Sequence, residues 1–116
     1  MRLTAEWLGR TVDIRIDRPL GSKHPQHPNI VYGVNYGELP GTMAADGSPI
    51  DAYVLGPKEA IKACSGVVIA IVHRHDDSED KLVVSTEGTW TAAAIEAAIA
   101  FQECFFDSSI EMAPGS

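Results

Sequence analysis

Two carboxylates near the middle of the chain, Asp46 and Asp51, stand five residues apart with Gly47-Ser48-Pro49 between them. Gly-Ser-Pro is turn chemistry, and Ala52-Tyr53-Val54-Leu55 after it is strand-like, so both carboxylates can address one space. Carboxylates sharing a space repel unless a proton or a cation lies between them. For oxygen donors the natural cation is Mg2+ or Ca2+. A second acidic run, Asp76-Asp77-Ser78-Glu79-Asp80, is followed directly by Lys81. Alone it reads as a solvated turn; beside the first pair it offers further ligands.

The histidines point to less. His24 and His27 lie in a loop flanked by Pro25 and Pro28, where their spacing imposes no common geometry, and a structural role in the loop is expected. His73 and His75 flank Arg74 at strand spacing and so share a face. Imidazole is a common zinc ligand, but no cysteine or third histidine is placed to complete a zinc site.

The elements that must hold these residues are set by hydrophobic period. Residues 11–17 (TVDIRID) alternate apolar and charged, which predicts a half-buried strand closed by Pro19 and Gly21. Residues 30–34 and 51–55 read as the second and third strands, with a long shaped loop between them. Residues 57–63 form one helical turn or a connection. Residues 66–73 (GVVIAIVH) are the most apolar run and predict a central strand buried on both faces. Residues 81–85 (KLVVS) pair back on it, making a hairpin with an acidic tip. Thr91 can cap a helix over about residues 92–106, its apolar face running through Ile95, Ala98, Ile99, Gln102 and Phe105 or Phe106. The tail from Met112 is expected to fray. Five strands and one C-terminal helix give an α+β, mainly β fold: a small barrel, because open strand edges must be closed or covered.

The 116 residues make a single domain, 1–116, and 45% hydrophobic content makes it globular. A net charge of −7 argues against nucleic acid as a partner. No apolar run approaches the ~18 residues a membrane span needs, and the first residues carry no apolar signal region, so a cytoplasmic location is expected. There thiols stay reduced, and Cys64 and Cys104 are expected to be buried and inert.

The order Asn35-Tyr36-Gly37, then Asp46-Gly47-Ser48-Pro49-Ile50-Asp51 leading into a strand, resembles the signature region of the soluble, Mg2+-dependent inorganic pyrophosphatases. That family carries Asn-Tyr-Gly followed by Asp-Gly-Asp-Pro-x-Asp, and two motifs in register are far more specific than one. The resemblance implies an OB-like five-stranded barrel with the helix at its side, Mg2+ as cofactor, a small phosphate substrate and a homo-oligomer. It implies hydrolysis of pyrophosphate by metal-activated water. Residue by residue, it implies Asp46, Asp51, Asp77 and Asp80 as metal ligands. Asp76 or Glu79 are alternatives to the last two, because the spacing is one residue tighter here. Lys23, Tyr36 and Lys81 are the implied phosphate ligands, Arg18 a weaker one, and Asp51 and Tyr36 the catalytic residues. Asp17, within Ile16-Asp17-Arg18-Pro19, resembles an acidic residue on the family's metal side; its alternative is a pair with Arg18 or Arg15. The acidic hairpin tip and the bend near Gly47 are expected to meet across one mouth of the barrel.

The chain also departs from the family pattern. Typical members are longer, so an N-terminal segment, a hairpin between Pro19 and Ile30 and part of the helical C-terminus are expected to be reduced. Ser48 stands where the family has the aspartate that acts as general base, and Glu38 where it often has an uncharged residue. Phe105-Phe106-Asp107 occupies the region of a phosphate-gripping Tyr-Lys pair. A general base contributes ~10²–10⁴-fold. The second reading is therefore a weakly active or non-catalytic barrel that binds a metal-phosphate ligand or a partner chain.

Overall fold

The computed structural model describes residues 2–43, 47–77 and 79–114. Among these residues the strands are β1 (Thr11–Arg18), β2 (Asn35–Glu38), β3 (Asp51–Leu55), β4 (Ala63–Arg74), β5 (Lys81–Ser85) and β6 (Ser108–Met112), with one α-helix, α1 (Ala92–Glu103), and a 3-10 turn at Ala5–Trp7. Antiparallel pairs join β1 to β2 and β2 to β3. β3 then runs parallel to β5, which pairs antiparallel with β4, and the first half of β4 returns to β1. The five strands thus close into a mixed barrel, and β6 adds to the second half of β4 outside the ring.

The parallel pair is the part of this topology that builds the site. Parallel neighbours need a crossover between them, and here the long strand β4 supplies it. As a result β3 and β5 start at the same end, so Asp51 and Lys81 arrive side by side.

Side-chain alternation sorts the core into two layers. Ile14, Ile16, Ala52, Val54, Val68, Ile71, Leu82 and Val84 point inward and fill the barrel, with Leu3, Leu39 and Ile50 at its ends. Tyr36, Tyr53, Leu55, Ala70, Val72 and Val83 point outward, and Ile95 and Ile99 of α1 cover them. Thr91 caps the helix, its hydroxyl accepting from the Ala94 N–H at 3.1 Å.

Several elements differ from the sequence expectation. The second strand is residues 35–38, not 30–34. Upstream of Arg18↔Tyr36 the partner strand runs into Pro19, which has no N–H to extend the ladder. Residues 21–32 instead fold on themselves through the Gly21 N–H to Tyr32 carbonyl and Tyr32 N–H to Ser22 carbonyl bonds. β4 is buried on both faces only in its second half, where β5 and β6 flank it; Val67 is exposed. The chain beyond the helix does not fray at Met112: that residue ends β6, a strand whose Ser-Ser-Ile-Glu-Met sequence carries little strand signal. The helix stops at Glu103, so Phe105 leaves the apolar face and is exposed. Cys104 is exposed rather than buried, because it lies on the far side of the helix from Ile95.

Candidate active site

The outward face of β1, β2, β3 and β5 carries a row of charges. Register places Arg15 opposite Glu38 and Glu38 opposite Asp51. Arg15 binds Glu38, and the Lys81 ammonium donates to Asp51 at 2.8 Å. Between this row and the C-terminal end of α1 opens a cavity of about 610 Å³. Asp17, Arg18, Tyr36, Asp51, Arg74 and Lys81 line it, with Gln102, Phe105 and Phe106 from the helix end and His24 and His27 from the folded-back loop. Among the described residues its fixed charges are three cations against two carboxylates, in a chain of net charge −7. The cavity lies beside the helix on the barrel's outer face rather than across its mouth, because Asp51 and Lys81 alternate with the inward residues Ala52 and Leu82.

Burial pushes the Tyr36 phenol far above its ordinary value, and the charge of Asp51 pushes it further. Tyr36 therefore stays a neutral O–H donor at the cavity wall. Burial also raises Asp17; Arg18 opposes that, while Asp51 and Glu38 add to it. The charges of Asp51 and Glu38 thus add to the burial of Asp17 in disfavouring its carboxylate form, a repulsion that a divalent cation would relieve.

Of the residues expected at the site, the structure brings Asp51, Tyr36, Lys81, Asp17 and Arg18 to one cavity. Asp46 lies outside the described residues. Lys23 is exposed, forms an isolated bridge with Val31 and is not among the cavity's lining residues. Asp77 accepts from the Arg74 guanidinium at 3.3 Å and from the Glu79 N–H at 3.2 Å. Asp80 is on the other face. It is buried, accepting from Arg2 at 2.6 Å, from the Leu3 N–H at 2.9 Å and bonding His73 at 2.8 Å. The reason is legible in the sequence: Asp80 and Lys81 are adjacent at the start of a strand, and adjacent strand residues face opposite ways. Sequence reasoning missed Arg74, whose only signal is a lone arginine ending the most apolar strand.

Among the described residues no three His, Cys, Asp or Glu side chains gather on one metal position. Mg2+ does not need that many, since it is commonly held by one or two carboxylates plus substrate phosphates and water. Asp17 and Asp51, hard oxygen donors that repel each other across the cavity, fit such an ion.

The profile of the family described as inorganic pyrophosphatase matches residues 9–100. No curated protein matches the sequence. Among solved structures, the inorganic pyrophosphatase of Ehrlichia chaffeensis superposes with a TM-score of 0.69 at 13% identity, covering 91% of this chain and 88% of that one. The inorganic pyrophosphatase of Coxiella burnetii gives 0.63 at 15% identity, covering 95% and 89%. That of Helicobacter pylori gives 0.61 at 14% identity, covering 97% and 88%. At such identities the superpositions speak for the barrel, and the profile, spanning most of the chain, speaks for descent: this chain belongs to the inorganic pyrophosphatase family.

Proposed function

We propose that this protein hydrolyses inorganic pyrophosphate, or a closely related phosphoanhydride, in a Mg2+-dependent reaction. The observation that carries the reading is the Lys81–Asp51 pair at the parallel β3–β5 junction, opening on a cavity that Tyr36, Arg18 and Asp17 also line. Pyrophosphate carries several negative charges, and a site for it needs cations and donors for the phosphate oxygens and carboxylates for the metal. This cavity has both. Lys81 and Arg18 meet phosphate oxygens with charge; Tyr36 meets one with a neutral O–H. Asp51 and Asp17, with Asp46 from the stretch before β3, would hold Mg2+. When bound, the ion supplies a water of lowered pKa and takes up charge on the phosphates.

Asp51 has a further role in this reading, receiving the proton of the attacking water in the place of the aspartate that Ser48 replaces. Lys81 holds the Asp51 carboxylate in position for that transfer. Asp77 and Asp80 support the hairpin tip instead of the metal, and Lys23 contributes at most long-range attraction. The expected assembly is a homo-oligomer.

Phosphate release from pyrophosphate with Mg2+, by the wild type and by Asp51→Asn, tests the reading. The variant is expected to lose ~10²-fold or more. Equal release by both proteins refutes the assignment. Binding of pyrophosphate with no release by the wild type selects the non-catalytic alternative, which the exposed Ser48 in place of a base favours.

A further inference from the structure

Arg74 is the most enclosed charge in the cavity wall, its side chain 5% exposed. Its Nε donates to Glu103 at 3.1 Å and its Nη2 to the other Glu103 oxygen at 2.5 Å. Its Nη1 donates to Asp77 at 3.3 Å, and the Phe106 ring lies 3.7 Å from the guanidinium carbon. A guanidinium has five N–H donors. Among the described residues these bonds take three, leaving two on a group that lines the cavity.

Glu103 is itself fixed. It accepts from the Tyr53 hydroxyl at 2.5 Å, and Tyr53 accepts from the Gln102 amide at 2.8 Å. The Gln102 carbonyl accepts from the Tyr32 hydroxyl at 2.9 Å, and Tyr32 accepts from Arg18 at 2.7 Å. Burial and the Glu103 charge push Tyr53 well above an ordinary phenol, so it remains a donor. Every bond in this relay points toward Glu103, and the relay ends on the two arginines of the cavity. A buried ion pair adds little stability over well-packed apolar residues of the same volume. At a cavity wall it does something those residues cannot: it presents a fixed charge.

We propose that Arg74 is the guanidinium that grips the terminal phosphate oxygens of a phosphoanhydride in this cavity, with Glu103 the positioning residue that sets its orientation. The proposal rests on the reading of the cavity as a pyrophosphate site. A fork held on one edge by a carboxylate offers its remaining donors in one fixed direction, which suits a tetrahedral phosphate. The hydrogen-bond relay makes Arg18 and Arg74 a single preorganised clamp rather than two independent side chains.

Calorimetry with Mg2+ and imidodiphosphate, a non-hydrolysable pyrophosphate analogue, tests it. Arg74→Gln is expected to weaken binding at least tenfold, and Arg74→Lys to fall between it and the wild type. Glu103→Gln is expected to raise KM for pyrophosphate several-fold with a smaller change in kcat. Added guanidinium ion is expected to restore part of the binding lost in Arg74→Ala, which a merely structural role does not produce. Equal binding by the wild type and a folded Arg74→Gln protein overturns the proposal and leaves the pyrophosphatase reading standing. No binding by the wild type overturns both. Should the Arg74 variants unfold, the side-chain nitrogen spectrum of the wild type decides: the Arg74 resonances shift on titration with imidodiphosphate, and unmoved resonances overturn the proposal.

Discussion

His73 stands between two carboxylates, Asp80 at 2.8 Å and Glu111 at 2.7 Å. Burial works against its charged form, but the hydrogen bonds to Glu111 and Asp80 outweigh it and hold the imidazole above its ordinary 6.5. A raised value means that the folded state binds the proton more tightly than the unfolded chain. Its contribution to stability is therefore complete below 6.5 and is lost as pH rises through the folded value. Asp80 runs the other way: burial raises it, but Arg2, the Leu3 N–H and His73 together bring it below 3.8. Its contribution is present above that value and fades in acid. Thermal midpoints are expected to fall as pH climbs from about 6 to about 9, with a smaller fall in His73→Gln. A wild type and variant with parallel pH profiles would show that the bridge contributes nothing. The Lys81–Asp51 pair is a different kind of contact, since both members face the cavity and both have a proposed role toward the substrate.

At the scale of elements, the Asn-Tyr-Gly stretch shows how one short strand serves both fold and site. Asn35 is fully buried; its side-chain Oδ1 accepts from the Leu20 and Ile61 N–H groups at 2.9 and 3.2 Å, and its Nδ2 donates to the Glu59 carbonyl at 2.9 Å. It ties two loops to β2. Tyr36 faces the cavity. Gly37 faces inward, where a Cβ would meet the Arg15 carbonyl oxygen at 2.2 Å. Backbone cannot move aside cheaply, so Gly37→Ala is expected to cost at least about 3 kcal/mol, read as a lower urea midpoint at unchanged slope. Thr91→Ala is expected to cost about 1 kcal/mol in the same measurement, because one capped N–H loses its acceptor. A loss many times larger would mean that the Thr91 hydroxyl holds more than the Ala94 N–H.

For the whole molecule, closure of a five-stranded ring leaves one core inside the barrel and a second between barrel and helix. The cavity sits at the end of the second core, so α1 both covers the sheet and builds the site wall through Gln102, with Phe105 and Phe106 just beyond the helix and Glu103 behind Arg74. The exposed apolar side chains Val31, Met43, Val67 and Phe105 lie apart in sequence. In a homo-oligomer some of these are expected to be covered. Sedimentation equilibrium should return a multiple of the chain mass; the mass of one chain across a wide concentration range contradicts that assembly.

The sequence alone determined what depends on local order. Alternation wrote β1, the apolar run wrote β4, Thr91 wrote the helix start, and the Asn-Tyr-Gly and Asp-Gly-Ser-Pro-Ile-Asp strings carried the family. Gly47, at φ 84°, adopts the left-handed conformation its turn required. What the tertiary structure decided is which charges meet. The parallel β3–β5 pair spans thirty residues of chain and brought Lys81 to Asp51. The closed ring brought Asp80 to Arg2 and the Leu3 N–H, and the helix end put Glu103 behind Arg74. Those meetings depend on pairing partners far apart in the chain, and no local period encodes them.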